Sequence, residues 1–282
     1  MKLFTASLYT ELIKIVAKPR SYIGFIVITA IVALIQFAMW IDGLNFINFI
    51  TGNVEQTFLI EGKILNGSLV TFIILQTLIV HIPLLIALVT GDLISGESAM
   101  GTLRALVSKP ISRTALLLSK LCAGGIYTLL ILLWLGIISL GLAMYVFGNG
   151  DLIVLKSEEL IILPSDDLLW RFFCAFGAAF VALMVIASLS LMLSVFSDNS
   201  IGPIITTMGI IILFTIIGTM EIPIFDKVKP YLFTTHMIVW RSFFESPVDS
   251  SQILHSFLVM VFHITSFITI AIVKFNKKDI LT

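Results

Sequence analysis

Charge is what this sequence has least of. Only 12% of its 282 residues are Asp, Glu, Lys or Arg, against 59% hydrophobic, and the mean hydropathy is +1.11. A soluble fold of this length buries one core and still needs a charged surface, so a water-facing globule is excluded. The charges that exist cancel, 17 basic against 17 acidic. With no basic stripe to displace counterions from phosphate, a nucleic-acid partner is excluded as well. Cysteine is scarcer still. Cys122 and Cys174 make neither a disulfide framework nor a zinc site. They fall near the starts of the third and fourth apolar stretches, toward opposite membrane faces and out of pairing range, and read as small packing residues.

Catalytic patterns are missing too. The only Gly-Lys pair, Gly62-Lys63, is followed by Ile64 and lacks the upstream glycine of a phosphate-binding loop. His81, His236, His255 and His263 form neither His-x-x-x-His nor His-Glu-x-x-His, and no acidic pair faces inward, which disfavours an intramembrane enzyme and a metal site. Acids and bases are absent from the middles of the apolar stretches, with Lys120 and Arg171 expected at edges. Ion-coupled carriers keep such charges at mid-membrane, where each costs about 2.5–3.5 kcal/mol on insertion scales. A secondary transporter is therefore the alternative reading, not the leading one.

What is present is a set of long apolar runs. A helix needs about 20 apolar residues to cross roughly 30 Å of hydrocarbon, and six stretches come close or qualify: 22–41, 69–90, 120–147, 172–196, 201–220 and 253–273. They predict an all-α polytopic membrane protein with six spans in a single domain, 1–282. The first is too long for a signal-peptide core and has no small-residue cleavage pattern after it, so it is expected to stay as a signal-anchor. Eleven of the 17 basic residues fall at the N-terminus (Lys2, Lys14, Lys18, Arg20), after the second span (Arg104, Lys109, Arg113, Lys120) and at the C-terminus (Lys274, Lys277, Lys278), while 12 of the 17 acidic residues fall on the other side. The positive-inside rule then puts both termini on the cytoplasmic side of a plasma membrane. Trp40, Trp170 and Trp240 are expected at outer helix ends in the headgroup zone, with Trp134 the exception inside the third span. The Ser197-Asp198-Asn199-Ser200 turn, with Pro203 in the first turn that follows, predicts an antiparallel hairpin of spans four and five.

The remaining segments are shorter. Over residues 1–20, Phe4, Leu8, Leu12, Ile15 and Val16 share one helical face and Ser7, Glu11, Lys14 and Lys18 another, which predicts an amphipathic helix lying in the interface, a plain anchor or a lever that touches a partner. Residues 21–147 hold the first three spans and the loop 91–113. In the outer loop 148–171, two apolar runs at 152–155 and 160–163 flank Lys156-Ser-Glu-Glu159 and read as a hairpin or a short helix. Residues 172–282 hold the last three spans. The outer segment 221–250 carries an apolar run at 230–240 that is too short to cross and reads as re-entrant or interfacial.

The loop 91–113 is the most informative stretch. Asp92 and Glu97 sit at a Gly-Ser turn expected to be flexible, then Met100, Leu103 and Val107 recur at helical spacing until Pro110 stops the helix. Ser112 is placed to cap the helix of the third span. Glu97 is either a solvated carboxylate favoured by the helix dipole or the partner of Lys14 or Arg113, tying the loop to the N-terminal helix. A push on this loop would move two spans at once.

An acidic residue (Asp92), then Glu97, Gly101-Thr102-Leu103, a short helix carrying Arg104, the run Ser108-Lys109-Pro110-Ile111-Ser112-Arg113 and Lys120 ahead of the third span resembles the permeases of ABC type-2 transporters, a group that includes a permease of nitrous oxide reductase maturation. The likeness extends to the basic N-terminus ending in Lys18-Pro19-Arg20, the tight turn between spans four and five and the basic tail at 275–279. It implies that the 91–113 helix is a coupling helix seated on a separate ATPase subunit, through Asp92, Glu97, Met100, Gly101, Thr102, Leu103, Arg104, Val107, Pro110 and Arg113, with Glu11, Lys14 and Lys18 as N-terminal contacts. It implies no cofactor in this chain, ATP and Mg being held by two copies of the partner, and no enzymatic site of its own. It implies a second permease copy, homodimer or sister chain, meeting the first, second and fifth spans, where Gly209 and Gly218 allow close approach. It implies export across the bacterial inner membrane, and an apolar pathway suits lipids, amphipathic peptides or drugs. A non-transporting membrane scaffold with the same loop stays open, as does a periplasmic or cell-surface partner for the net-negative outer loops.

Overall fold

The computed structural model describes residues 2–51, 64–78, 81–108, 110–155 and 160–279; Gly62, Lys63, Lys109 and residues 156–159 lie outside them. The helices are α1 (Lys2–Ala17), α2 (Arg20–Thr51), α3 (Gly67–Leu78), α4 (His81–Thr90), α5 (Ser95–Ala99), α6 (Leu103–Val107), α7 (Arg113–Gly136), α8 (Leu142–Phe147), α9 (Leu168–Phe196), α10 (Ile201–Thr219), α11 (Pro223–Asp226), α12 (Phe233–His236) and α13 (Ser250–Lys277). Among the described residues, five rods are long and apolar enough to cross a membrane: α2, α7 continued through α8, α9, α10 and α13. The pair α3 and α4, bent by 54°, makes a sixth if counted as one crossing. The chain is a polytopic helical membrane protein. The sequence predicts a second span over 69–90 that is kinked at Pro83, and the bend between α3 and α4 agrees with that kink. A proline has no N–H for the carbonyl four residues back and its ring clashes with that carbonyl, so the helix restarts just ahead of it.

α2, the α7–α8 rod, α9 and α13 run longer than their apolar cores, while α10 matches its own to within a residue. α7 begins at Arg113 rather than Lys120, because Ser112 adopts extended geometry and its hydroxyl accepts from Ala115 N at 3.2 Å, the cap its sequence position predicts. Lys120 therefore lies two turns inside the helix rather than at an edge. Between α7 and α8 the rod passes through a π-turn, Ile137–Gly141. Widening a helix by one residue frees carbonyls for outside donors, and two are used here. Gln36 Nε2 donates to Ile138 O at 2.8 Å and Thr71 Oγ1 to Ser139 O at 2.9 Å.

One feature departs from an all-α fold. Strands β1 (Leu152–Leu155) and β2 (Leu160–Leu163) pair antiparallel, Ile153 opposite Ile162 and Val154 opposite Ile161. β-Branched residues favour this pleat, and Leu152, Val154 and Leu163 turn into a cluster with Phe72 and Phe172. The hairpin end of the bundle is closed by Asn66, whose Nδ2 donates to Asp151 O at 2.7 Å. It is closed again by Arg171, buried though at a helix edge, which pairs with Asp167 at 2.6 Å and donates to the carbonyls of Phe243 and Glu245 at 2.7 and 2.9 Å. The outer segment is not one re-entrant helix. It is a chain of short turns, α11, α12 and 3-10 turns at Lys229–Tyr231 and Met237–Phe244, of which the last packs on α9 and α12 packs on α10 and α13. Trp240 is consequently buried against Phe72 and Phe244 rather than anchored among headgroups.

The central rod is α9, which packs on α4, α7, α10 and α13. Its buried Ala175, Ala178 and Ala182 leave room for neighbours to approach. Cys122 and Cys174 are both free thiols.

Candidate functional site

At the end of the bundle opposite the hairpin, the 91–113 loop, α1, the start of α7, the α9–α10 turn and the last turn of α13 come together. α1 arrives inside out for a helix at a membrane surface. Its outward residues, Leu3, Thr5, Ala6, Tyr9, Thr10, Ile13, Val16 and Ala17, carry no charge, while Ser7, Glu11, Lys14 and Lys18 turn inward. The polar stripe is thus a packing face, not a solvated one, and it packs on α7.

What it meets there is a closed ring of four ions. Lys14 Nζ lies 2.7 Å from Glu11 Oε1 and 2.6 Å from Glu97 Oε1. Lys120 Nζ lies 2.8 Å from Glu11 Oε2 and 2.7 Å from Glu97 Oε2. Each lysine bridges both carboxylates and each carboxylate divides its two oxygens between the lysines, so the ring is neutral. Lys120 is fully buried and the Glu11 side chain is 2% exposed. Taking ions this far out of water is tolerable only where such mutual pairing compensates. Burial pushes the Glu11 carboxyl up, but Lys120 and then Lys14 more than reverse this and hold it below its ordinary value. For Lys14 burial pulls down, while hydrogen bonds to Glu11 and Glu97 raise the ammonium above its ordinary value. Ser7 Oγ and Ser119 Oγ, 2.8 Å apart, extend the α1–α7 contact by one turn.

Beside the ring stands a second knot. Asp92, buried, takes Lys18 on Oδ2 at 2.7 Å and Arg20 on Oδ1 at 2.6 Å. Its carboxylate occupies the space a side chain at Gly96 would need, since a Cβ there would fall 2.3 Å from Oδ1. The Ser95–Gly96–Glu97 stretch, expected as a flexible turn, is the buried helix α5. Its first amides, orphaned as in any helix start, are satisfied from another element. Ser194 Oγ of α9 accepts from Ile94 N at 3.1 Å and Ser95 N at 2.8 Å. One turn below, Thr90 and Ser190 share a hydroxyl hydrogen bond.

After α5 the chain reverses through Gly101, at φ +69°, a conformation glycine adopts freely. The helix expected from Met100 to Val107 is therefore only α6, pinned by buried Leu103 and half-buried Val107. Met100, Thr102, Arg104 and Pro110 face outward. Between α6 and α1 runs a cleft of about 350 Å³ lined by Lys14, Lys18, Glu97, Met100, Thr102 and Leu106 among others. Glu97 thus meets Lys14 but not Arg113, whose guanidinium is spent on carbonyls at the end of α13. Nothing in the sequence marks Arg20 or Ser194 as a site residue, and the apolar pattern puts Lys120 at a span edge. The available signal is Glu11 set among Lys14 and Lys18 on one helical face; nothing local points to Lys120, 109 residues further on.

Among the described residues, no three of His, Cys, Asp and Glu gather so as to hold a metal. Burial depresses the His236 imidazole, whose Nε2 faces Pro230 O at 2.9 Å and whose Nδ1 faces Ser256 Oγ at 3.0 Å, a packing role. No curated protein matches the chain. From residue 25 to residue 281 it matches a family model described as a protein of unknown function, DUF2705, and over that span the chain belongs to the DUF2705 family.

Proposed function

We propose that this chain is the permease subunit of an ATP-binding-cassette exporter in the cytoplasmic membrane, with both termini and the 91–113 loop on the cytoplasmic side. Two copies, or this chain and a sister permease, form the pathway, and two separate ATPase subunits drive it. The observation that carries this reading is the four-ion ring. It fastens the loop to α1 and α7 at once, while Met100, Thr102, Arg104 and Ala105 stay outward beside an open cleft.

Such a loop suits transmission of force. A load on α6 passes through Glu97 to Lys120 and Lys14, and so into the third span and the N-terminal helix, with little slack because buried, mutually paired ions resist separation. ATP binding that draws two ATPase subunits together would draw two such loops together. The basic excess on this face, and the resemblance of the 92–120 pattern to ABC type-2 permeases, support the orientation and the partner.

The test is co-purification of the chain with an ABC ATPase and stimulation of that ATPase's hydrolysis. Met100→Glu with Ala105→Glu is expected to abolish association while leaving the unfolding midpoint of the chain unchanged. Purification without a co-eluting ATPase, together with no ATPase able to bind a peptide of residues 92–112, would overturn the proposal.

A further inference from the structure

The chain's last helix is tied back to the loop. The final turn of a helix leaves carbonyls without intrahelical partners, and the negative end of its dipole favours a cation. Arg113 Nη1 supplies one to α13, lying 3.1 Å from Phe275 O, 3.2 Å from Asn276 O and 2.7 Å from Lys278 O. Asn276 Nδ2 donates to Thr114 Oγ1 at 3.2 Å, and Phe275 is fully buried.

From there the tail reaches the turn between α9 and α10. Lys278 Nζ lies 2.7 Å from Asp198 Oδ1 and 3.1 Å from Val195 O. The same Asp198 Oδ1 accepts from Ser98 Oγ, just outside the ion ring, at 2.7 Å. Hydrogen bonds from Lys278 and Ser98 hold the Asp198 carboxyl below its ordinary range, so it is an anion wherever the clasp is made. Lys274, over the Phe196 ring at 5.4 Å, adds a further α9–α13 contact.

Covalent connection and the ion ring link the loop to α4, α7 and α1, but not to α10 or α13, the spans least buried within the chain. We infer that Arg113 and Asp198 are positioning residues that carry a displacement of the 91–113 loop into the α9–α10 turn and α13, so that the last three spans move with the first three. This rests on the coupling role proposed for the loop. An exposed pair such as Asp198–Lys278 adds little stability by itself. Its value is directional, because one carboxylate oxygen joins the loop and the tail.

Hydrogen exchange on the full chain in lipid nanodiscs tests the clasp without any ATPase. Arg113→Gln and Asp198→Lys are each expected to raise exchange about tenfold in both windows, 95–107 and 270–278, the size of one lost charge-assisted contact. Asp198→Lys combined with Lys278→Asp should restore both. A rise confined to 270–278, or a charge swap that restores nothing, overturns the inference. In the assembled transporter, Asp198→Lys should bind the ATPase with unchanged affinity yet lower its stimulation about fivefold, with the swap again restoring it; unchanged stimulation overturns it. If no version of the chain binds an ATPase, the coupling role fails, while the exchange result still decides whether the clasp exists.

Discussion

Lys120 Nζ lies 2.7 Å from Glu97 Oε2, joining a carboxylate of the 91–113 loop to a lysine two turns inside a membrane-spanning helix. Removing that lysine leaves two buried carboxylates to share Lys14 alone. Lys120→Met is expected to cost about 3–5 kcal/mol, the usual penalty for breaking a buried ion pair from one side. Adding Glu11→Gln and Glu97→Gln to it should recover most of the loss. Thermal unfolding in detergent of the single and triple variants distinguishes this from a simple cavity, which the added substitutions would not repair.

Glu11 and Lys14 make the ring's contribution to stability depend on pH. Glu11 is more acidic folded than its ordinary 4.5, so its contribution is full above that value and is lost as pH falls through the lower folded one. Lys14 is more basic folded than its ordinary 10.5, so its contribution is full below that value and is lost as pH rises through the higher folded one. The unfolding midpoint should be level between about pH 5 and pH 10 and fall on either side. Glu11→Gln should lower the plateau and shrink the acid limb.

Gly96 and Gly101 predict opposite kinds of damage. Nothing lies within 4 Å of a Cβ at Gly101, so Gly101→Ala bears only the conformational cost of φ +69°, about 1–2 kcal/mol. A Cβ at Gly96 would strike the Asp92 carboxylate. Gly96→Ala should therefore cost more, and its effect should be non-additive with Asp92→Asn, because both remove the Lys18 and Arg20 contacts. Additive unfolding free energies would show that Asp92 had somewhere else to go.

Ser194 caps a helix it does not belong to. Ser194→Ala leaves the amides of Ile94 and Ser95 without their acceptor, a loss of about 1–3 kcal/mol. The faster exchange should appear at those two amides rather than along α9.

Side assignment is checked by reporters. Fusions at each end of the chain should score on one side of the membrane, and an insertion in 148–171 on the other.

Much of this architecture is visible in the residues alone, for reasons that also mark where reading fails. Apolar run length fixed where the rods fall, and Ser112 before Arg113 fixed where α7 starts, since both depend on local chemistry. The bend of the second span is legible in Pro83, but its size, 54°, is not, because neighbouring helices set how far a proline kink opens. α1 was read with its polar stripe outward because helical periodicity gives two faces without saying which is wet; Glu97 and Lys120, far along the chain, decide that. Lys120 looked like an edge residue because apolar counting starts a span where charge stops, whereas the helix starts where its cap is. The π-turn at Ile137–Gly141 left no local mark. It is held by Gln36 and Thr71 on other helices.

The ion ring also has an order in time. Glu11 is synthesised 109 residues before Lys120, and chains emerge N-terminus first. When α7 enters the bilayer, the carboxylates of Glu11 and Glu97 already wait at that face, so the cation most expensive to insert arrives last, onto a prepared seat. Moving α1 to the C-terminal end by circular permutation would keep every contact of the finished protein and remove that head start.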